Sequence, residues 1–416
     1  MTTDVIIIGA GAAGLMAARE LRRAGKNVII LESSDRIGGR VMTLNDMNAG
    51  VPVELGASFV HGEAPETTRL LDEARLASVT VLGAQYRSER GRLSEQGPIW
   101  KRMGKVFGYM KSNRSEDRSF DDFLAERPGG ARLADERELA RGFVRGFMAA
   151  DTSLISEKSL AKQGDPTEGA SQAKRIVKGY SALIDHVKHD VSTLIRLNHA
   201  AKRVIWNKSN VRVIDIYGTA YTATSVIVAV PLQVLQDDTI VFEPGIPKFR
   251  AAARQLVMGH VAHVNIVMKE RFWEDKAENI SFIHTPERPF NVWWTQNPIH
   301  SQLITAWCGG PPALKLVESG TIDDVVLIEL ARTFGMRRSR VEKLAESIHW
   351  HDWSGDRNIR GAYSYVGVGG VDAPPVLARA IDGTLFFAGE ATDPESSGTV
   401  EGALASGKRA ARQVLR

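Results

Sequence analysis

The first thirty residues alternate between fully apolar runs and a helical spacing. Asp4–Gly9 holds Val5-Ile6-Ile7-Ile8, apolar on both faces, as a parallel strand covered by helices is. Ala12–Ala24 follows with Leu15, Ala18 and Leu21 at core spacing, and Gly25 ends that helix. Asn27–Leu31 is a second buried strand, closed by Glu32. The pattern predicts a βαβ unit at the start of the chain.

Two later stretches extend the same reading. Val204–Trp206, Val211–Ile216 and Ser225–Val230 are short β-like runs, the last followed by Pro231. Leu385-Phe386-Phe387-Ala388 reads as a strand, and Gly398–Leu415 as an alanine-rich helix. The predicted fold class is α/β, with a cofactor domain assembled from 1–79, 190–240 and 345–416. A substrate domain of mixed α and β character occupies 80–189 and 241–344. Its second part carries β-like runs at Val261–Met268 and Gln302–Cys308 and a helix at Ile322–Phe334, while Lys162–Ala173 is polar and interrupted by Gly and Pro. No internal repeat is visible.

The strand–helix junction carries the first chemistry. Gly9, Gly11 and Gly14 form G-x-G-x-x-G, with Ala13 inside the motif. The first glycine permits the turn, the second lets backbone approach a pyrophosphate, and the third allows close helix–strand packing. The helix N-terminus offers free N–H groups and partial positive charge to phosphates. Glu32, at the end of the second strand, is placed to accept bonds from ribose hydroxyls. This order of elements predicts dinucleotide binding but does not choose between NAD and FAD.

Composition narrows the class. The 416 residues suggest two or three domains at roughly 150 residues each. The net charge of +4 is spread without a block of like charges, which argues against nucleic-acid binding. The single cysteine, Cys308, excludes an internal disulfide or a cysteine-rich metal site, and no metal is expected. The N-terminus lacks a signal-peptide pattern, and no apolar stretch reaches the ~18 residues of a membrane span. The expectation is a cytoplasmic monomer or homodimer.

The residues after Glu32 decide the cofactor. Ser33-Ser34-Asp35-Arg36-Ile37-Gly38-Gly39-Arg40 resembles the E-x-x-x-R-x-G-G-R continuation of the flavin amine oxidases. That family includes polyamine oxidases, monoamine oxidases and lysine-specific histone demethylases. Three further segments are similar to it: Glu54–Gly62, containing Gly56, Ala57, Ser58 and His61; Lys178–Leu183 with Val204; and Phe387–Thr392 with Gly398–Ala403. The resemblance implies non-covalent FAD, since the region before the last signature, Val366–Val371, lacks the cysteine that monoamine oxidases link to flavin. It implies that Ser33, Gly39 and Arg40 bind the cofactor, Arg40 meeting phosphate charge, and that Val204 contacts the adenine side through its backbone. Gly389 and Glu390 would lie near the ribityl chain, and Thr399 and Val400 near the flavin pyrimidine.

The implied activity is oxidation of an amine C–N bond to an imine, with a small-molecule amine as substrate and molecular oxygen as acceptor, giving hydrogen peroxide. Gly361-Ala362-Tyr363-Ser364-Tyr365 resembles a run that places Tyr365 beside the flavin, with Trp353 as a second wall residue. Trp350 and Tyr363 read equally well as core. Two departures stand out. Thr399 occupies a place where an aromatic is common, and His263 stands where the family has a lysine that bonds a water near flavin N5. Histidine can hold such a water but lacks the fixed charge; the alternative is a hydrogen-bonded core histidine. His61 reads evenly as pocket or structural. Asp121, Asp122 and Glu126 read chiefly as solvated helix charges. A flavin desaturase of the protoporphyrinogen-oxidase type and a non-catalytic FAD-binding module are the competing readings.

Overall fold

The structure is a computed structural model describing residues 3–97, 99–164, 172–286 and 288–416. The expected polar stretch at 162–173 falls largely outside them.

The first lobe is built on a parallel sheet ordered Leu385–Phe387, Ser225–Val228, Val5–Ile8, Val28–Leu31, Ile195–Arg196. Its central strand is buried along its whole length, as its uninterrupted apolar run requires. The helices Ala12–Arg23 and Val400–Val414 lie together on one face. A Cβ built on Gly407 would stand 2.2 Å from the Ala13 carbonyl oxygen, so this glycine sets how closely the two helices approach. A four-stranded sheet containing Ala201–Asn207 and Asn210–Asp215 covers the other face.

The second lobe is a seven-stranded sheet in which Val261–Met268 is second from one edge and Leu303–Gly309 lies beside it. Helices Ile99–Phe107 and Ala134–Phe147 pack over one side of the site. Helices Pro311–Glu318 and Ile322–Thr333 close the back of the sheet.

The lobe boundaries differ from the expected ones. Tyr180–His189 packs in the core of the first lobe through Tyr180, Leu183, Ile184 and Val187, because its apolar face matches the first helix and not the second sheet. Val241–Glu243 pairs with Arg203–Ile205 and also belongs to the first lobe. Ala345–His349 pairs with Asn265–Met268 and extends the second sheet. Among the described residues no helix is long and apolar enough to cross a membrane.

Candidate active site

One cavity of about 980 Å³ runs from the first glycine turn, past the start of the last helix, into the second lobe. At its phosphate end the backbone is shaped for close approach. Gly9 has φ +106°, and a Cβ there would lie 2.4 Å from the Ala229 carbonyl oxygen. Gly14 does not line the cavity; a Cβ on it would meet the Gly9 carbonyl at 1.9 Å, so it serves helix–strand packing. Gly11 caps Ala12–Arg23 without any side-chain bond, and no acid occupies the first turn. With Ala12 and Ala13 on the wall, those amides and their partial positive charge face the cavity.

The loop after Glu32 folds back over this turn. Gly38 N–H donates to the Ala10 carbonyl at 2.9 Å, and Gly39 lies against Gly11. Arg36 holds the loop through the Gly39 carbonyl, 2.8 Å. Glu32 accepts from Ala10 N–H (2.6 Å), Ser34 N–H (2.8 Å) and the Ser33 hydroxyl (3.2 Å), which fixes its carboxylate on the cavity wall with lone pairs to spare.

Arg40 and Glu390 join the two ends of the chain. Arg40 Nη1 donates to Glu390 Oε1 (2.7 Å) and to the Ala362 carbonyl (2.8 Å). Glu390 Oε2 accepts from the Ser364 hydroxyl (2.6 Å) and Gly398 N–H (3.0 Å). Gly56, Ala57, Ser58, Gly389, Thr399 and Val400 all reach the cavity. Thr399 caps the last helix by accepting from Gly402 N–H at 3.0 Å, which accounts for a hydroxyl where an aromatic was expected.

Val204 is a correction. It is wholly buried in the first lobe's core, and Ala200 and Ala201 line the cavity instead. The register of this strand shifts between Ala201 and Arg203.

The substrate half is walled by one face of the seven-stranded sheet. His263 stands opposite Trp307, Trp307 opposite Val292, Val292 opposite His284, and His284 opposite Arg87, all on the cavity wall. At ~4.8 Å per strand this row spans about 19 Å. The His263 ring lies 5.5 Å from Trp294 and 5.4 Å from Trp307. Burial pushes it down to about 4, against a hydrogen bond to the Gly56 backbone, so it is neutral at neutral pH. Among the described residues its Nδ1 has no hydrogen-bond partner. His61 lines the cavity with its ring 5.2 Å from Phe147 and 5.8 Å from Phe59.

Tyr365 lines the cavity, its hydroxyl accepting from Asp151 N–H at 3.2 Å, and burial pushes its phenol up to about 12. Tyr363 is beside it and donates to the Phe147 carbonyl at 2.6 Å. Trp353 is held by a bond from Nε1 to the Leu55 carbonyl (2.8 Å), with the Arg36 guanidinium over its ring. Trp350 is off the cavity, bonded to Asp323. Asp121, Asp122 and Glu126 are off it too, engaged with Arg141, a helix cap and Arg118. The sequence reading missed Trp294, Trp307, Phe147 and Phe143. Alternation within the β-like runs is their only signal, and it does not say which face meets the site.

This is the layout of a flavoenzyme: a helix N-terminus without a side-chain cap for phosphates, a second helix start further along the cavity, and an aromatic chamber beyond it. The family model for flavin-containing amine oxidoreductases matches residues 12–102 and 104–415, and the chain belongs to that family. Polyamine oxidase 3 of Oryza sativa subsp. japonica is 28% identical, the match covering 99% of this chain and 89% of that protein. Human lysine-specific histone demethylase 2 is 30% identical over 99% of this chain, which spans only 53% of that protein. Among solved structures, a double mutant of putrescine oxidase has a TM-score of 0.85 at 22% identity, covering 100% of this chain and 99% of that one. Cyclohexylamine oxidase from Brevibacterium oxydans has 0.84 at 19%, with the same coverage. The mixed helix–sheet fold is that of these enzymes.

Proposed function

We propose that this protein binds FAD non-covalently and oxidises the C–N bond of a primary or secondary amine to an imine, with oxygen as acceptor giving hydrogen peroxide. The observation that carries this is one continuous cavity with a helix start open to phosphates at one end and an aromatic cluster of Trp294, Trp307, Phe147, Phe143 and Tyr365 at the other. The glycine turn fits a pyrophosphate, because a side chain on Gly9 or Gly39 would demand a left-handed backbone or fill the approach. Cys308 is buried off the cavity, and burial pushes its thiol up to about 12, which supports a cofactor held without a covalent bond to it.

When bound, the flavin supplies the two-electron acceptor. The protein's residues do the rest. Trp294, Trp307, Phe147 and Tyr365 exclude water and favour the uncharged amine, whose lone pair assists departure of hydride. Arg40 offers a cation at the phosphate side. The amides at Thr399 and Val400 and the dipole of the last helix would favour negative charge on the flavin when it is bound.

One observation favours a second reading. The neutral His263 puts no fixed cation between Trp294 and Trp307, which fits an acceptor other than oxygen. The test is a peroxide assay over diamines, polyamines, cyclohexylamine and arylalkylamines, with an artificial electron acceptor run in parallel. Peroxide from any amine supports the oxidase; turnover only with the artificial acceptor supports the dehydrogenase; FAD binding with neither leaves a binding module.

A further inference from the structure

The loop that follows Glu54 forms part of the cavity wall through Gly56, Ala57 and Ser58. Three successive carbonyls at its start are held by side chains from distant segments. The Glu54 carbonyl accepts from Asn265 Nδ2 at 2.7 Å, and the Leu55 carbonyl from Trp353 Nε1 at 2.8 Å. The Gly56 backbone bonds the His263 ring and holds its pKa up against burial, so the ring donates and the Gly56 carbonyl accepts. A neutral imidazole has one N–H, and here it is spent on the loop. Asn265 and His263 stand two apart on the strand Val261–Met268 and so share a face, while Val264 and Ile266 enter the core behind the sheet. The carbonyls they hold, those of Glu54 and Gly56, are two apart as well. Side chains of the strand thus grip the loop at the spacing with which a neighbouring strand would use its backbone.

Asn265 lies off the main cavity and reaches it only through this loop. It is 1% exposed, and a buried amide is costly unless hydrogen-bonded. Thr305, its partner on the adjacent strand, donates its hydroxyl to Asn265 Oδ1 at 2.9 Å. A carbonyl only accepts, so the amide nitrogen is the end that must face Glu54, and Thr305 fixes that orientation from the other end. The loop's own Leu55 and Ala57 N–H groups donate to the Met42 (2.8 Å) and Arg40 (3.2 Å) carbonyls, so both of its edges are held. A chamber of about 30 Å³ lies between loop and strand, lined by Glu54 and Ser58 on one side and by His263, Asn265 and Thr305 on the other. A loop released from Asn265 has room to sink into it.

We propose that Asn265, oriented by Thr305, is a positioning residue for the cofactor: it holds the Gly56–Ser58 wall at the place where FAD packs against it. The inference rests on the FAD reading of the cavity. Asn265 acts through the Glu54 carbonyl and not by contact with cofactor or substrate.

The test compares Asn265→Leu, which keeps the branched shape and removes the donor, with Thr305→Val and Thr305→Ser. Two quantities are read: amide hydrogen exchange across the protein, and FAD affinity by fluorescence titration. In Asn265→Leu the Leu55 and Ala57 amides should exchange about tenfold faster and FAD should bind about tenfold more weakly, the scale of one lost hydrogen bond, while exchange in Val5–Ile8 stays at the wild-type rate. Thr305→Val should move both quantities the same way, and Thr305→Ser, which keeps the hydroxyl, should restore them. Thr305→Val added to Asn265→Leu should change nothing further, because Thr305 acts through the amide. A folded Asn265→Leu variant with wild-type loop exchange and FAD affinity overturns the proposal. So does exchange that rises equally in the loop and in Val5–Ile8, which marks a general loss of stability and not a released loop. Should Asn265→Leu fail to fold, Thr305→Val and Thr305→Ser decide, and equal values for the two overturn the proposal. If the wild-type protein binds no FAD, the FAD reading itself fails, and the positioning role with it.

Discussion

Replacing Glu390 by glutamine is the sharpest perturbation of the site's framework. Glu390 is 4% exposed and binds three segments: Arg40 at 2.7 Å, the Ser364 hydroxyl at 2.6 Å and Gly398 N–H at 3.0 Å. A carboxylate accepts from all three, while an amide accepts through one oxygen only. Whichever way the amide is turned, its NH₂ meets a donor: Arg40, or the Ser364 and Gly398 pair. A hydrogen bond to a charged group contributes about 1.5–3 kcal/mol, and breaking a buried pair costs more. Arg40 is 24% exposed, so part of its charge is recovered by water and the lower figure applies. Unfolding free energy should fall by about 2 kcal/mol, and the FAD dissociation constant should rise roughly 30-fold, because binding must then reorder Arg40 and Gly398. Denaturant titration of apoprotein and fluorescence titration with FAD measure the two. Stability and affinity both within about 0.5 kcal/mol of wild type would refute the reasoning.

Other consequences follow from the same structure. Gly14→Ala places a Cβ 1.9 Å from the Gly9 carbonyl and should weaken FAD binding at least tenfold, read by the same titration, since backbone and not a side-chain tip must move. Glu401 accepts from Glu66 N–H (3.0 Å), Thr67 N–H (2.8 Å) and the Thr67 hydroxyl (2.7 Å); Glu401→Ala should cost about 3 kcal/mol in denaturant melts by stripping the cap of Pro65–Ala74. His263, lowered from 6.5 to about 4, binds fewer protons folded than unfolded between those values. Its contribution to stability is therefore full above pH 6.5 and is lost as pH falls through 4, by about 3 kcal/mol. His263→Gln should flatten that part of the stability–pH curve, and an unchanged curve counts against a buried neutral ring. Acid precipitation of holoenzyme should leave the yellow colour in the supernatant; colour in the pellet contradicts non-covalent binding.

The parts of the fold that a sequence carries locally were the legible ones. Strand Val5–Ile8, helix Ala12–Arg23 and strand Val261–Met268 follow from apolar runs, period and glycine punctuation within a short window. Glu390 was placed near the ribityl chain by resemblance, while its partners Arg40 and Ser364 needed the tertiary structure. What spacing could not carry was strand phase and long-range register. Val204 lies in the core while Ala200 and Ala201 line the cavity, and the row His263–Trp307–Val292–His284–Arg87 exists only because four strand pairings align. Helix Tyr180–His189 went to the other lobe because an amphipathic helix shows that it has a buried face but not against which partner.

The account turns on an amine giving up two electrons inside the Trp294–Trp307–Tyr365 chamber. The most direct measurement is the visible spectrum of the FAD-loaded protein mixed anaerobically with a panel of amines. The account predicts that at least one amine bleaches the flavin band fully, with one imine formed per flavin. A protein that holds FAD stoichiometrically yet keeps its oxidised spectrum with every amine, while dithionite bleaches it, would contradict it.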